Sequence, residues 1–164
     1  MGTSIFLKNK SNVIKFQDSN EYIVPANLNE NILTSIFIPA NSILNNSSIE
    51  MYFNALSQNL NANKRFAVYI NNTNDLIGAK LIALFISNNN LYQILRQYWY
   101  FNNLLSQYRM SFDTLQHNNF GISNAATNSN FIDFSTDNYL IVTGQLSNIA
   151  DIVTLRNITM IVTN

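Results

Sequence analysis

The segment 48-SIEMYFN-54 decides the architecture. Ile49, Met51 and Phe53 alternate with Glu50, Tyr52 and Asn54. Successive side chains of a strand point to opposite faces, so this is a strand with one apolar face and one polar face. Further along, Phe66, Val68 and Ile70 alternate with Arg65, Ala67 and Tyr69. Asn71-Asn72-Thr73-Asn74-Asp75 follows as a turn, because Asn and Asp side chains bond their own backbone and tolerate left-handed dihedrals. Lys80 to Ile86 is apolar on both faces, which predicts a central strand covered on both sides. Upstream, Ile32, Thr34, Ile36 and Ile38 alternate with Leu33, Ser35 and Phe37. That strand stops at Pro39, which has no N–H to give a ladder.

The stretch Leu91–Met110 carries two signals. Leu91, Ile94, Leu95, Tyr98, Asn102, Leu105 and Tyr108 approximate helical spacing. Tyr98-Trp99-Tyr100-Phe101, however, is rich in strand formers, and Asn102-Asn103 interrupts it, so two strands around that break are expected. Residues 113–130 are polar and read as a long loop around His117. A short strand at Phe131–Phe134 follows, then one at Tyr139–Leu146 and a last one at Ile152–Val162. In the last, Ile152, Ile158, Met160 and Val162 are expected to share a face with Thr154 and Arg156. The tally predicts an all-β, antiparallel β-sandwich of jelly-roll type with about eight strands. Residues 1–20 are expected as an N-terminal arm or edge hairpin, and 21–164 as the sandwich domain.

Composition narrows the function classes. Charged residues are 11% of the 164, against about 25% in an ordinary soluble domain, while the hydrophobic share of 47% is normal. Asparagine replaces the charge: there are 30 Asn, with 15 Ser and 10 Thr. Such a neutral, hydrogen-bonding surface suits a subunit packed against identical copies, since amides pair where like charges repel. Codon drift would produce the same bias without functional meaning. Nine basic residues balance nine acidic ones, so no nucleic-acid partner and no anionic membrane is expected. No apolar run approaches the ~20 residues of a membrane-spanning helix. The first residues carry no apolar core of a signal peptide, so none is expected. Cysteine is absent, which removes disulfides, thiolate metal sites and cysteine nucleophiles.

Motifs for catalysis are few. His117 is the only histidine; without a second His or a Cys it seeds no typical zinc site, and no G-x-S-x-G elbow accompanies it. Asp133, Asp137 and Asp151 sit at strand ends, where local hydrogen bonding is the usual role of Asp. No catalytic residue, metal site or cofactor is expected. The one candidate binding surface is aromatic: on a strand, Tyr98 and Tyr100 share a face with Arg96, a combination able to stack on a sugar ring and bond its hydroxyls. Core packing ranks first for these aromatics, a subunit interface second and a ligand site third.

Three phrases, IFIPANSI at 36–43, RFAVYINNTNDLIGAKLIALF at 65–85 and FIDFSTDNYLIVTGQLSNIADIVTLRNITMIV at 131–162, resemble the jelly-roll domains of tailed-phage virion proteins. These serve as head-fibre, tail-fibre-tip and capsid-decoration modules. The resemblance spans roughly residues 30–164 and implies a non-enzymatic, homotrimeric structural protein located in the virion and assembled in the host cytoplasm. Its implied partners are itself, other virion components (capsid, portal, tail or fibre) and, for some members, a host surface glycan. The sequence has no fibre shaft, collagen-like stretch or coiled coil, which favours a decorating or adaptor role. The rival from another class is a carbohydrate-binding module using Arg96, Tyr98 and Tyr100. A hydrolase built on acidic residues ranks third.

Overall fold

The structure, a computed structural model, describes residues 13–44, 47–58, 62–87, 92–102, 106–110, 127–128 and 132–164. Among them, ten strands form two antiparallel sheets: β1 (Val13–Ile23), β2 (Asn31–Ile38), β3 (Ser48–Gln58), β4 (Lys64–Asn71), β5 (Lys80–Ser87), β6 (Tyr92–Asn102), β7 (Ser106–Met110), β8 (Thr127–Asn128), β9 (Asn138–Leu146) and β10 (Ile152–Thr163). One sheet has the order β1-β10-β3-β6-β7-β8, the other β2-β9-β4-β5.

The pairings explain this order. β1 pairs with β10, β2 with β9, β3 with β6 and β4 with β5, all antiparallel. The chain therefore runs out along four strands and returns along four, as one long ribbon. Wrapping that ribbon places alternate pairs in opposite sheets, and the contacts β10–β3 and β4–β9 join them. This is an eight-stranded jelly roll, closed as a two-layer sandwich; β7 and β8 extend one of its sheets from four strands to six. The described parts of the 91–110 stretch are thus two strands, β6 and β7, as its aromatic cluster predicted. From Val13 onward the N-terminal stretch is the edge strand β1.

The core lies between the layers. Ile49, Met51 and Phe53 are buried, as the alternation predicted, and face Phe66, Val68 and Ile70. The Phe53 and Phe66 rings meet edge-on at 6.0 Å across the two sheets, the arrangement favoured by their opposed face and edge charge.

Three expectations change. β5 is not central; it ends the four-stranded sheet. Phe134 belongs to a turn rather than a strand, because the Asp133 carboxylate accepts the Ser135 N–H and hydroxyl and curls the chain. In β10, Val153 and Leu155 are buried before a register shift, and Ile158, Met160 and Val162 after it, while Ile152 is exposed. The shift lies between Arg156 and Thr159, where Asn157 takes φ 52°. An extra residue in one strand flips every later side chain to the other face. A similar shift between Ile32 and Thr34 turns Ile32 outward and lets Leu33 pack on the core.

Gly144 marks a close approach. A Cβ there would lie 2.4 Å from Val24 Cγ2 and 3.0 Å from Leu33 Cδ1. The missing side chain lets the segment after β1 settle onto β9. Gly144→Ala is expected to lose about 1–3 kcal/mol, the usual cost of overpacking, in a urea titration.

Candidate functional site

Four features of the described residues could carry function: a polar cluster on one sheet, a notch at one end, an apolar surface at an end, and a buried ion pair.

The polar cluster lies on the outer face of the four-stranded sheet. Even-numbered residues Leu140 and Val142 of β9 face the core, so Thr143 and Gln145 face outward beside Arg65 and Tyr69 of β4. Glu30, from the β1–β2 connection, reaches over them. Its Oε1 accepts the Thr143 hydroxyl at 2.6 Å and the Tyr69 hydroxyl at 2.9 Å. Its Oε2 accepts Arg65 Nη1 at 3.2 Å. Arg65 Nη2 donates to Tyr69 Oη at 3.1 Å, and Gln145 Nε2 donates to the Leu28 carbonyl at 2.9 Å. The cluster pins the connection to the sheet and is internally satisfied.

Tyr69 is pushed above its ordinary phenol value, first by partial burial, then by the hydrogen bond to Glu30 and its charge; Arg65 opposes this. The fold thus favours the neutral phenol. That contribution is fully present below about pH 10, the unfolded value, and is lost as pH rises through the higher folded value. Parent and Tyr69→Phe are therefore expected to differ in stability by an amount that shrinks above about pH 10, read by urea titration across that range.

The notch, about 300 Å³, lies where the β4–β5 turn meets the loop before β9. Asn71 Nδ2 holds that turn, donating to the Asp75 and Ile77 carbonyls at 2.9 and 3.0 Å. Asn138 Nδ2 holds the loop, donating to the Asp133 and Thr136 carbonyls at 2.8 and 2.9 Å. Asparagine here fixes loops, the local role its abundance in turns implies. Lys80, Asp133 and Thr136 line the notch above an Ile70 and Ile132 floor. Ser135, by its hydroxyl and then its N–H, holds the Asp133 carboxyl below the usual range. Such a notch can hold a small polar molecule. Among the described residues no three His, Cys, Asp or Glu gather as a metal site would require.

The apolar surface is at the end carrying the β1–β2 connection and the β9–β10 turn. Ile23, Leu28, Ile149 and Ile152 are all exposed there. Val24 N–H bonds the Val153 carbonyl at 2.9 Å, and Ile23 is in register with Thr154, which brings the two segments together.

The ion pair was not legible in the sequence. Lys64 opens β4, and Asp151 precedes β10; their side chains are 1% and 0% exposed, with Nζ 3.5 Å from Oδ2. Lys64 Nζ also donates to the Ala62 carbonyl at 3.0 Å. Asp151 reads as a turn residue until the fold brings Lys64 to it.

The sequence-derived candidates Arg96, Tyr98 and Tyr100 lie on β6, in register with Tyr52, Glu50 and Ser48 of β3. On the other side, Tyr98 and Tyr100 are in register with Met110 and Tyr108 of β7. The structure thus seats Tyr98 and Tyr100 between two neighbouring strands. His117 lies outside the described residues. Asp133 serves local structure, accepting from Ser135, whereas Asp137 ties two distant segments together: its Oδ1 accepts the Ala40 N–H at 2.9 Å.

No family model and no curated protein matches the sequence. Among solved structures, the chain is similar to one from sacbrood virus of honeybee, with a TM-score of 0.36 and 8% identity over 92% of this chain and 72% of that one. It is also similar to a chain of infectious bursal disease virus Gx strain, with a TM-score of 0.29 and 10% identity over 99% of this chain. A third similarity is to the infectious bursal disease virus VP2 subviral particle, with a TM-score of 0.28 and 9% identity over 92% of this chain. The chain spans 46% and 41% of the length of those two. All three come from viruses; none of them is a tailed-phage protein.

Proposed function

We propose that the protein is a non-enzymatic structural subunit of a virus particle, acting by association with copies of itself and with neighbouring virion proteins. The observation that carries this reading is the apolar end of the jelly roll. Ile23, Leu28, Ile149 and Ile152 are each exposed at this end of a body with zero formal net charge. Several exposed apolar groups at one end are suited to protein contacts, and near-zero net charge favours association. The phrases resembling tailed-phage virion domains support the finer reading: a decorating or appendage subunit, trimeric, located in the virion.

Multi-angle light scattering on the purified chain tests it. The expected result is the mass of three chains, falling to a smaller species when Ile149→Asp and Ile152→Asp are combined. A clean monomer at high concentration overturns the reading.

A further inference from the structure

The aromatic stretch 98–101 has no part in the association proposed above. Its place is fixed by a ladder without a slip: β3 and β6 keep one register from Ser48 and Tyr100 to Leu56 and Tyr92. Residues directly opposite each other across such a ladder share a face of the sheet. The face of β3 that carries Ile49, Met51 and Phe53 is buried, and Ile49 is in register with Trp99. Glu50 and Tyr52 are half-buried on the other face, and their partners are Tyr98 and Arg96. Register therefore assigns position 99 to the core face, and Arg96, Tyr98 and Tyr100 to the outer one. That leaves an interface or a ligand as the role of these tyrosines. Pairing widens the patch: Tyr108 of β7 is opposite Tyr100, and Thr159 of β10 is opposite Tyr52. Tyr52, Tyr98, Tyr100 and Tyr108 thus sit on three adjacent strands, within about 10 Å across and about 14 Å along, from the spacing and rise of strands.

We propose that this outer face of the six-stranded sheet binds an uncharged oligosaccharide. Residue type and charge select that ligand. The patch is built of tyrosine rather than phenylalanine, and a phenol joins a flat apolar ring to a hydroxyl. Among the tyrosines stand Glu50 and Arg96, one charge of each sign, on neighbouring strands. The carboxylate accepts and the guanidinium donates, and a sugar hydroxyl does both. Glu50 opposes a polyanion, which sets aside single-stranded nucleic acid despite the stacking rings. The cores of protein contacts are depleted of Glu, and this chain exposes Ile23, Leu28, Ile149 and Ile152 elsewhere, at one end. A neutral sugar chain, with apolar C–H faces and hydroxyl edges, matches both parts of the patch. The site is separate from the association surface and does not depend on it.

An array of neutral oligosaccharides of glucose, galactose, mannose and N-acetylglucosamine, probed with the full chain, tests it; sialylated oligosaccharides and oligodeoxythymidylate serve as anionic comparisons. The expected result is binding to a neutral probe that added salt does not weaken. Tyr98→Ala and Tyr52→Ala are each expected to weaken it roughly 3- to 10-fold, the loss of one ring contact. Phe37→Ala, at an exposed position on the outer face of the other sheet, is expected to leave it unchanged. Nitration of the parent chain, read by peptide mass, needs no variant, so a poorly folding mutant does not obstruct the test: the bound sugar is expected to protect Tyr52, Tyr98 and Tyr100. Silence across the array, protection of none of these tyrosines, or preference for an anionic probe overturns the proposal. If the tyrosine variants instead lower the mass seen by light scattering, the face is a subunit contact; the saccharide site falls and the functional reading stands.

Discussion

Lys64→Met is expected to destabilise the protein by about 3–5 kcal/mol, because it leaves the Asp151 carboxylate buried without a countercharge. Among the described residues nothing donates a hydrogen bond to either Asp151 oxygen, and its side chain is fully buried. Desolvating a lone carboxylate is expensive, and only Coulomb attraction to the ammonium offsets it here. The comparison that isolates the mechanism is the double variant Lys64→Met with Asp151→Leu. Removing both charges together is often neutral or stabilising by about 1–4 kcal/mol, so the double variant is expected to recover most of the loss. Urea midpoints at constant slope provide the measurement. A single variant within about 1 kcal/mol of the parent would contradict the burial assigned to the pair.

Phe66→Ala is expected to cost about 3–5 kcal/mol, from lost apolar burial plus the cavity left behind. Phe66 is buried on β4 and packs edge-on against Phe53 of β3, so its ring is one of the places where the two sheets touch. The cavity would open between layers rather than within one, and neither sheet can close it without breaking its own ladder. Phe66→Leu, which keeps most of the volume, is expected to lose much less. If the two variants were equally unstable, the loss would trace to the ring contact itself rather than to the void.

Much of the fold could be read locally. A strand's period is a property of adjacent residues, so SIEMYFN and RFAVYI declare both strand and buried face without outside help. The turn at 71–75 is equally local, since Asn71 bonds carbonyls within its own turn. The bulges are different. Nothing in NIT at 157–159 announces that Asn157 takes a left-handed dihedral, and the face assigned to Thr154 and Arg156 changes with it. An extra residue shows only against the partner strand that lacks it.

The candidate sites divide along the same line. The aromatic residues of 98–101 stand out by composition, but composition names no neighbour; register with β3 and β7 supplies that. Glu30, Arg65, Tyr69 and Thr143 are unremarkable where they occur and become one cluster only when β4 and β9 are paired.

By itself, then, the sequence determined the all-β class, the sandwich, the principal core faces of β3 and β4, and the turn at 71–75, because backbone sterics and nearest-neighbour alternation act over a few residues. The tertiary structure alone decided which strands end a sheet, where the register slips, and that Lys64 meets Asp151. Those depend on pairing between segments far apart in the chain, where the free energy belongs to the contact and to neither segment alone.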